Sequence, residues 1–399
     1  MDDVQGGRIR QFRMARGMTQ QDLADATGGL VTKQSISKYE RGKSQPSVKV
    51  LRALANAFDV KIADLARKPD AEVEFIAYRK GSKLGKRKQE QIQSIVLRKL
   101  EDRLRVQDLL GQVREINLPI RHWNVTSPKD AENAAKELRA LWDLGSDPIA
   151  NVTSTLEERH IYVISLDAPD KFDGISALAH DESDEHIAAA VVCQDGRPGE
   201  RQRLNLAHEL AHLVQRVEES DDFDEEKAAF RLGAAFLVPE QALKRDVGTR
   251  RQTIQLKELL LLKKRYGVSM QALLYRMKDL EIISAHHYKQ WFIQISKQGW
   301  RTSEPEELPR ETADWFRRSV LRAYSEELLP KKEAERMLNE RIETKTEDEA
   351  LMRRREFMKL SPDERGKILR KQAEDMASYY EEHEEETDEF QGGDIVEYE

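Results

Sequence analysis

The chain is short of cysteine, of histidine and of long apolar runs, and each shortage excludes something. Cys193 is the single cysteine among 399 residues, so no disulfide framework can hold the fold, which suits a reducing cytoplasm. The apolar run just before it, residues 188–192, reads as a buried strand. Cys193 is therefore expected in the core rather than as a nucleophile. No apolar stretch approaches the ~20 residues needed to span a bilayer. The start, Met1-Asp2-Asp3, lacks the basic-then-apolar order of a secretory signal. A membrane role is thus not expected, and a cytoplasmic one is.

What is present points to several domains. At this length two or three cores are the natural expectation. With 35% charged and 39% hydrophobic residues, the balance is that of a soluble, helix-rich protein. The net charge of −7 conceals a strong asymmetry: residues 1–68 hold 13 Lys/Arg against 7 Asp/Glu, whereas residues 376–399 hold 10 Asp/Glu and no Lys or Arg. The basic head can neutralise phosphates and the acidic tail cannot. Motifs and composition divide the chain into residues 1–68, a basic connector 69–125, a central domain 126–300, a helical extension 301–375 and the tail 376–399. The predicted class is mainly α with a small β-sheet (α+β).

Residues 8–66 break into four or five short helical periods. The first, about Arg8 to Arg16, turns Ile9, Phe12 and Met14 inward and stops at Gly17. Thr19 caps a second that opens with Gln20, Gln21 and Asp22. Thr32 caps a third, Lys33 to Gly42, in which only Ile36 and Tyr39 look core-facing. A further helix after Pro46-Ser47 buries Val50, Leu51, Leu54, Ala55 and Phe58. A short helix with two apolar anchors and a face of Lys33, Gln34, Ser35, Ser37, Lys38 and Arg41 suits a DNA major groove, where such side chains reach base edges. Gln20, at a helix N-terminus, is placed to meet a phosphate. Thr19-Gln20-Gln21-Asp22-Leu23-Ala24 and Ser35-Ile36-Ser37-Lys38-Tyr39-Glu40-Arg41-Gly42 resemble the Xre (lambda-repressor-like) helix-turn-helix family. That resemblance implies a five-helix domain on a double-stranded operator. Gly28-Gly29-Leu30-Val31 makes the turn about two residues longer than the family's usual one.

In the connector, Val73 to Tyr78 reads as a strand, Arg79 to Lys88 as a basic turn, and Lys88 to Leu110 as a long helix. Ile92, Val96, Leu100 and Leu104 lie along one stripe at spacing four. The stripe is expected on the protein's own core; a homodimer on a two-fold operator is the other use for it.

The strongest chemical signal is His208-Glu209-Leu210-Ala211-His212. Two histidines four apart on a helix project from one face and can converge on one Zn²⁺. Glu209 can lean over the open coordination position as general base. With nine histidines in the chain, chance coincidence of this pattern is rare, and its apolar flanks speak against a surface helix. Residues 224–239 read as a second helix ended by Pro239, with small residues that permit close packing. A carboxylate at its start would complete a two-His, one-Glu set; spacing alone leaves open which one.

Several ordered segments are similar to the ImmA/IrrE metallopeptidase family. They are residues 134–139, Asp147-Pro148-Ile149, Leu156-Glu157, residues 160–164, Phe172-Asp173-Gly174-Ile175-Ser176, the motif helix with its preceding Arg201-Gln202-Arg203, and residues 266–273. They span about Asp130 to Gly299. The resemblance implies a zincin-like domain with one Zn²⁺ (or Mn²⁺) per chain held by His208, His212 and a Glu thirteen residues before the terminating proline. That count gives Glu226, with Glu225 as the fallback. The family usually has Asn or Asp four residues after the ligand, where this chain has Phe230. His180 and His186 are candidates to assist at the site edge; His160, His286 and His287 read as structural.

Residues 253–345 are expected to be helical with Trp291, Trp300 and Trp315 as anchors, and residues 346–376 to be an exposed helix. The tail reads as disordered. Together these readings predict a DNA-binding transcriptional regulator whose zinc-dependent endopeptidase domain cleaves a regulatory protein, a repressor or itself. The alternative is a non-catalytic antitoxin or autorepressor whose metallopeptidase-like fold grips a partner such as a toxin.

Overall fold

The computed structural model describes residues 4–68, 71–76, 85–112, 118–168, 172, 174–218, 223–342, 357–361, 364–371 and 373. The chain forms two compact units, Met1–Leu338 and Asn339–Glu399.

The first unit begins with five short helices: α1 (Val4–Ala15), α2 (Gln20–Ala26), α3 (Lys33–Glu40), α4 (Val48–Ala57) and α5 (Ile62–Ala66). Local chemistry sets their limits. Thr19 and Asp22 form a reciprocal capping box on α2, and Thr32 and Ser47 cap α3 and α4 by accepting from the amides of Ser35 and Val50. Gly28 and Gly29, at φ +70° and +74°, supply the left-handed turn between α2 and α3. Helix α1 starts four residues before the expected Arg8. Ile9, Leu23, Ile36, Leu54, Phe58 and Leu65 close one small core.

Next come β1 (Glu72–Phe75), α6 (Lys86–Leu109), β2 (Trp123–Val125), α7 (Pro128–Leu141), α8 (Val152–Glu157), β3 (Ile161–Leu166), β4 (Gly174–His180) and β5 (His186–Gln194). The four-stranded sheet has the order β1-β4-β5-β3, with β3 and β5 parallel and the other pairs antiparallel. The strand expected over 73–78 is observed as Glu72–Phe75; Ala77 and Tyr78, like the basic residues 79–84, lie outside the described residues. One face of the sheet receives Ile92, Val96, Leu100 and Leu104 of α6 against Tyr162, Ile164, Ile175 and Ala177. The α6 stripe is consumed there, at about 1.5–3 kcal/mol per buried aliphatic side chain, so it is not a dimer seam.

The other face receives α9 (Gly199–Val214), followed by β6 (Gln215–Val217) parallel to β2, then α10 (Glu225–Leu237) and α11 (Glu240–Val247). Leu206 and Leu210 of α9 share a core with Leu178, Ala189, Val191 and the buried Cys193. With helices on both faces, β4 and β5 carry near-continuous apolar runs. Burial raises the Cys193 thiol above its ordinary pKa, as befits a core residue.

The unit ends with α12 (Leu256–Tyr266), α13 (Met270–Asp279), α14 (Ala285–Lys297), α15 (Asp314–Ser325) and α16 (Lys331–Leu338). The irregular segment between α14 and α15 straps the body together. Its Glu311 accepts from the Val152 and Thr153 amides at the start of α8, at 3.1 and 2.7 Å. Its Glu304 accepts from the Met270 and Gln271 amides at the start of α13, at 2.8 and 3.2 Å. Carboxylates at helix N-termini satisfy orphan amides and oppose the helix dipole. Trp291 is buried in the α9-side core, Trp300 packs partly against it, and Trp315 packs at a tilt against Tyr162, 5.3 Å between ring centroids, on the α6 side.

In the second unit, described residues 364–371 are helical, with Ser361 and Glu364 exchanging capping hydrogen bonds. The acidic residues 376–399 lie outside the described residues. Among the described residues no helix is long and apolar enough to cross a membrane.

Candidate metal centre

Helix α9 is buried along most of its length, and its His208, Glu209 and His212 are each 2–3% exposed. Helix α10 crosses it closely because Gly233 stands where any Cβ would lie 3.1 Å from the backbone of Ala207 and His208. That crossing lays the first turn of α10 over the two histidines. Asp224 caps the turn by accepting from the Lys227 amide at 2.8 Å, so the next two carboxylates stand on it in fixed positions.

Glu226 lies 3.4 Å from His208 Nε2 and 3.7 Å from His212 Nε2, and the two Nε2 atoms are 3.1 Å apart. Among the described residues His208, His212 and Glu226 form the one group of three able to hold a metal ion. Donors around a tetrahedral ion at ~2.0–2.1 Å stand roughly 3.3 Å from one another, so the triangle fits Zn²⁺. Glu225 takes a different place: it faces the other ring nitrogen, Nδ1 of His212, at 3.3 Å. An acceptor there fixes the ring's tautomer and orientation and leaves Nε2 as the donor to a metal. Burial pulls the His212 pKa down, but the Glu225 hydrogen bond and the charges of Glu209, Glu226 and Glu225 outweigh it and raise it.

Glu209 projects from the same helix toward β4. The Ser176 hydroxyl lies 2.7 Å from Glu209 Oε2 and 2.8 Å from its backbone carbonyl. Gly174 leaves the space the carboxylate occupies, since a Cβ at that position would fall 2.3 Å from Glu209 Oε1. Both residues lie in the segment quoted above for its family likeness, but no local pattern gave either a role. Phe230 packs its ring on His208 at 4.3 Å between centroids and is 43% exposed. An aromatic ring cannot offer the carboxylate or amide contact that Asn or Asp would give.

The structure brings together His208, His212 and Glu226, with Glu209 near enough for its charge to act on His212. It does not bring His180 or His186 to them. These two face each other across the β4–β5 hairpin, with His180 Nδ1 at 3.3 Å from Asp184. His180 is four residues along β4 from Ser176, roughly 13 Å of strand. Deeper support comes from Arg203, one turn before the motif, which donates to Glu311 of the strap and to the carbonyl of Ile149 at 2.6 Å.

On the N-terminal domain, Lys33, Gln34, Lys38 and Arg41 are exposed along α3 and its end, with Ser35 and Ser37 half-buried beside them. The Gln20 amide donates to Glu40 at 2.8 Å, and Glu40 also pairs with the buried Arg13. Gln20 thus ties α2 to α3.

Residues 9–65 match the family described as helix-turn-helix, and residues 161–278 match the IrrE N-terminal-like domain of peptidase family M78. An HTH-type transcriptional regulator of Archaeoglobus fulgidus is 39% identical over 66 residues, covering 16% of this chain and 91% of that protein. The SPbeta prophage-derived HTH-type transcriptional regulator YonR of Bacillus subtilis is 35% identical over 70 residues, 18% of this chain and 63% of its own. A third, MJ0272 of Methanocaldococcus jannaschii, is 38% identical over 58 residues, 14% of this chain and 85% of the relative.

Proposed function

The chain belongs to the helix-turn-helix transcriptional regulators and carries an IrrE N-terminal-like domain, and from that premise we propose that it is a cytoplasmic DNA-binding regulator that also hydrolyses a peptide bond in a regulatory protein. The observation that carries the reading is the triangle of His208, His212 and Glu226 with Glu209 held beside it.

When bound, Zn²⁺ would polarise a peptide carbonyl and acidify a water. The chain's own residues do the rest. Glu209 takes a proton from the attacking water and delivers it to the leaving amine. Ser176 keeps its carboxylate aimed, and Glu225 keeps His212 in the tautomer that donates from Nε2. On the DNA side, Gln34, Ser35, Ser37 and Lys38 are proposed to read base edges, with Lys33 and Arg41 at phosphates, while the Gln20 amide, expected at a phosphate, is instead engaged by Glu40. The substrate is a repressor sharing the operator, or the chain itself.

One observation favours a second reading. Phe230, half-exposed on the ring of His208, presents an apolar face at the mouth of the centre, which fits a non-catalytic antitoxin that grips a partner protein. Zinc-loaded wild type and Glu209→Gln incubated with host-cell extract distinguish the two. The peptidase reading expects new N-termini in the first reaction only, with equal operator binding. Identical peptide maps from both would leave the partner-binding reading.

A further inference from the structure

Strand β1 does not arise from the domain whose sheet it completes. It follows α5 of the DNA-binding domain within the connector, and it lies on the outer edge of β4. Its register runs Glu72↔His180, Val73↔Ala179, Glu74↔Leu178 and Phe75↔Ala177, and the Ile76 amide then donates to the Ser176 carbonyl at 2.9 Å. Ser176 is the residue whose hydroxyl aims Glu209. The connector backbone therefore runs, antiparallel, toward the end of β4 that supports the general base, about one strand spacing away.

The two partners are unequally anchored. Ile175, Ala177, Leu178 and Ala179 of β4 are fully buried. In β1, Glu72 and Glu74 are exposed and Val73 and Phe75 only half-buried. The flanking ion pairs, Arg121–Glu74 and Lys68–Glu182, are exposed at both ends, where such pairs add little. Without β1, β4 would present a row of free amides and carbonyls beside Glu209, and such an edge takes up an extended peptide by strand addition.

We propose that the connector strand Glu72–Phe75 with Ile76 is a resident strand that closes the outer edge of β4 beside Glu209, and that an extended peptide gains that edge only by displacing it. This rests on reading Glu209 as the base of a peptidase site. Strand exchange then links the DNA-binding domain to the centre, because the strand that leaves is tethered to α5.

The test uses full-length, metal-free protein, in which binding is read without cleavage. The probe is a fluorescein-labelled peptide copying residues 71–76, followed by anisotropy. Glu74→Pro removes an amide from the β1–β4 ladder and should bind the peptide at least tenfold tighter than wild type, while Glu74→Ala behaves as wild type. If Glu74→Pro lacks the native circular dichroism, a second variant decides. Val73→Cys with Ala179→Cys places a disulfide across a facing pair; its oxidised form should lose the binding wild type shows and regain it on reduction. A folded Glu74→Pro that binds no tighter, or an oxidised double-cysteine form that binds like wild type, overturns the proposal. Tighter peptide binding by Glu74→Pro together with identical peptide maps from zinc-loaded wild type and Glu209→Gln would sink the peptidase reading alone.

Discussion

The Ser176 hydroxyl sits between two oxygens of Glu209, 2.7 Å from the carboxylate and 2.8 Å from the backbone carbonyl. Its single proton is shared by the residue it orients and the helix that carries that residue. On the peptidase reading proposed above, this makes β4 part of the apparatus that holds the general base. Ser176→Ala should therefore leave metal content unchanged and lower the cleavage rate about 10- to 100-fold, the range for lost supporting contacts at a metal site. Gly174→Ala should do the same by pushing the carboxylate aside. Either variant losing metal in proportion to activity would show that these residues hold the fold and not the base.

The Arg203–Glu311 pair joins the motif helix to the strap, and both side chains are under 10% exposed. Removing one partner strands a buried charge, at about 3–5 kcal/mol. Glu311→Ala also frees two amides at the start of α8. Thermal unfolding should show a loss of that order, whereas a melting temperature equal to wild type would mean that the strap is not anchored through Glu311.

Metal binding should be proton-coupled at His212. Its folded pKa is raised above the ordinary 6.5 by the surrounding carboxylates, against the opposing effect of burial. In the metal-free protein this proton stabilises the fold fully below pH 6.5, and the contribution is lost as pH rises through the raised value. A metal must displace that proton, so apparent affinity should begin to fall at a pH above 6.5 and continue about tenfold per unit below it. Competition titration against a chelator between pH 8 and 6 measures the onset. An affinity flat across that range would remove His212 from the ligand set.

On the operator, Gln34→Ala should relax sequence preference and cost about 1–3 kcal/mol on the best site. Lys33→Ala should weaken binding to all sequences alike and reduce the salt slope by about one. Filter or anisotropy titrations at several salt concentrations separate the two; identical behaviour of both variants would mean that α3 does not lie in the groove as proposed.

Much of this was readable in the sequence wherever a local rule decides. Two histidines four apart must share a helix face, N-caps such as Thr19, Thr32 and Ser47 start helices whatever surrounds them, and the α6 stripe announces its burial. The choice between Glu226 and Glu225 was not local. Adjacent residues on a first turn point in different directions, and which one faces the metal side depends on how closely Gly233 lets α10 approach α9. Ser176 was invisible as a functional group because it is 33 residues from Glu209 and stands in an apolar strand. Glu311 and β1 likewise acquire meaning only through long-range pairing, which leaves no periodic trace. His180 and His186 looked close to the site because they flank its strands, yet they lie at the far hairpin.

Metal content is the most direct measure of the central claim. Elemental analysis of purified wild type, His208→Ala, Glu226→Gln and Glu209→Gln should find about one zinc per chain in wild type and Glu209→Gln. The His208→Ala protein should be near zero, and Glu226→Gln well below wild type. Zinc absent from wild type, or undiminished in His208→Ala, would contradict a metal centre built on His208, His212 and Glu226.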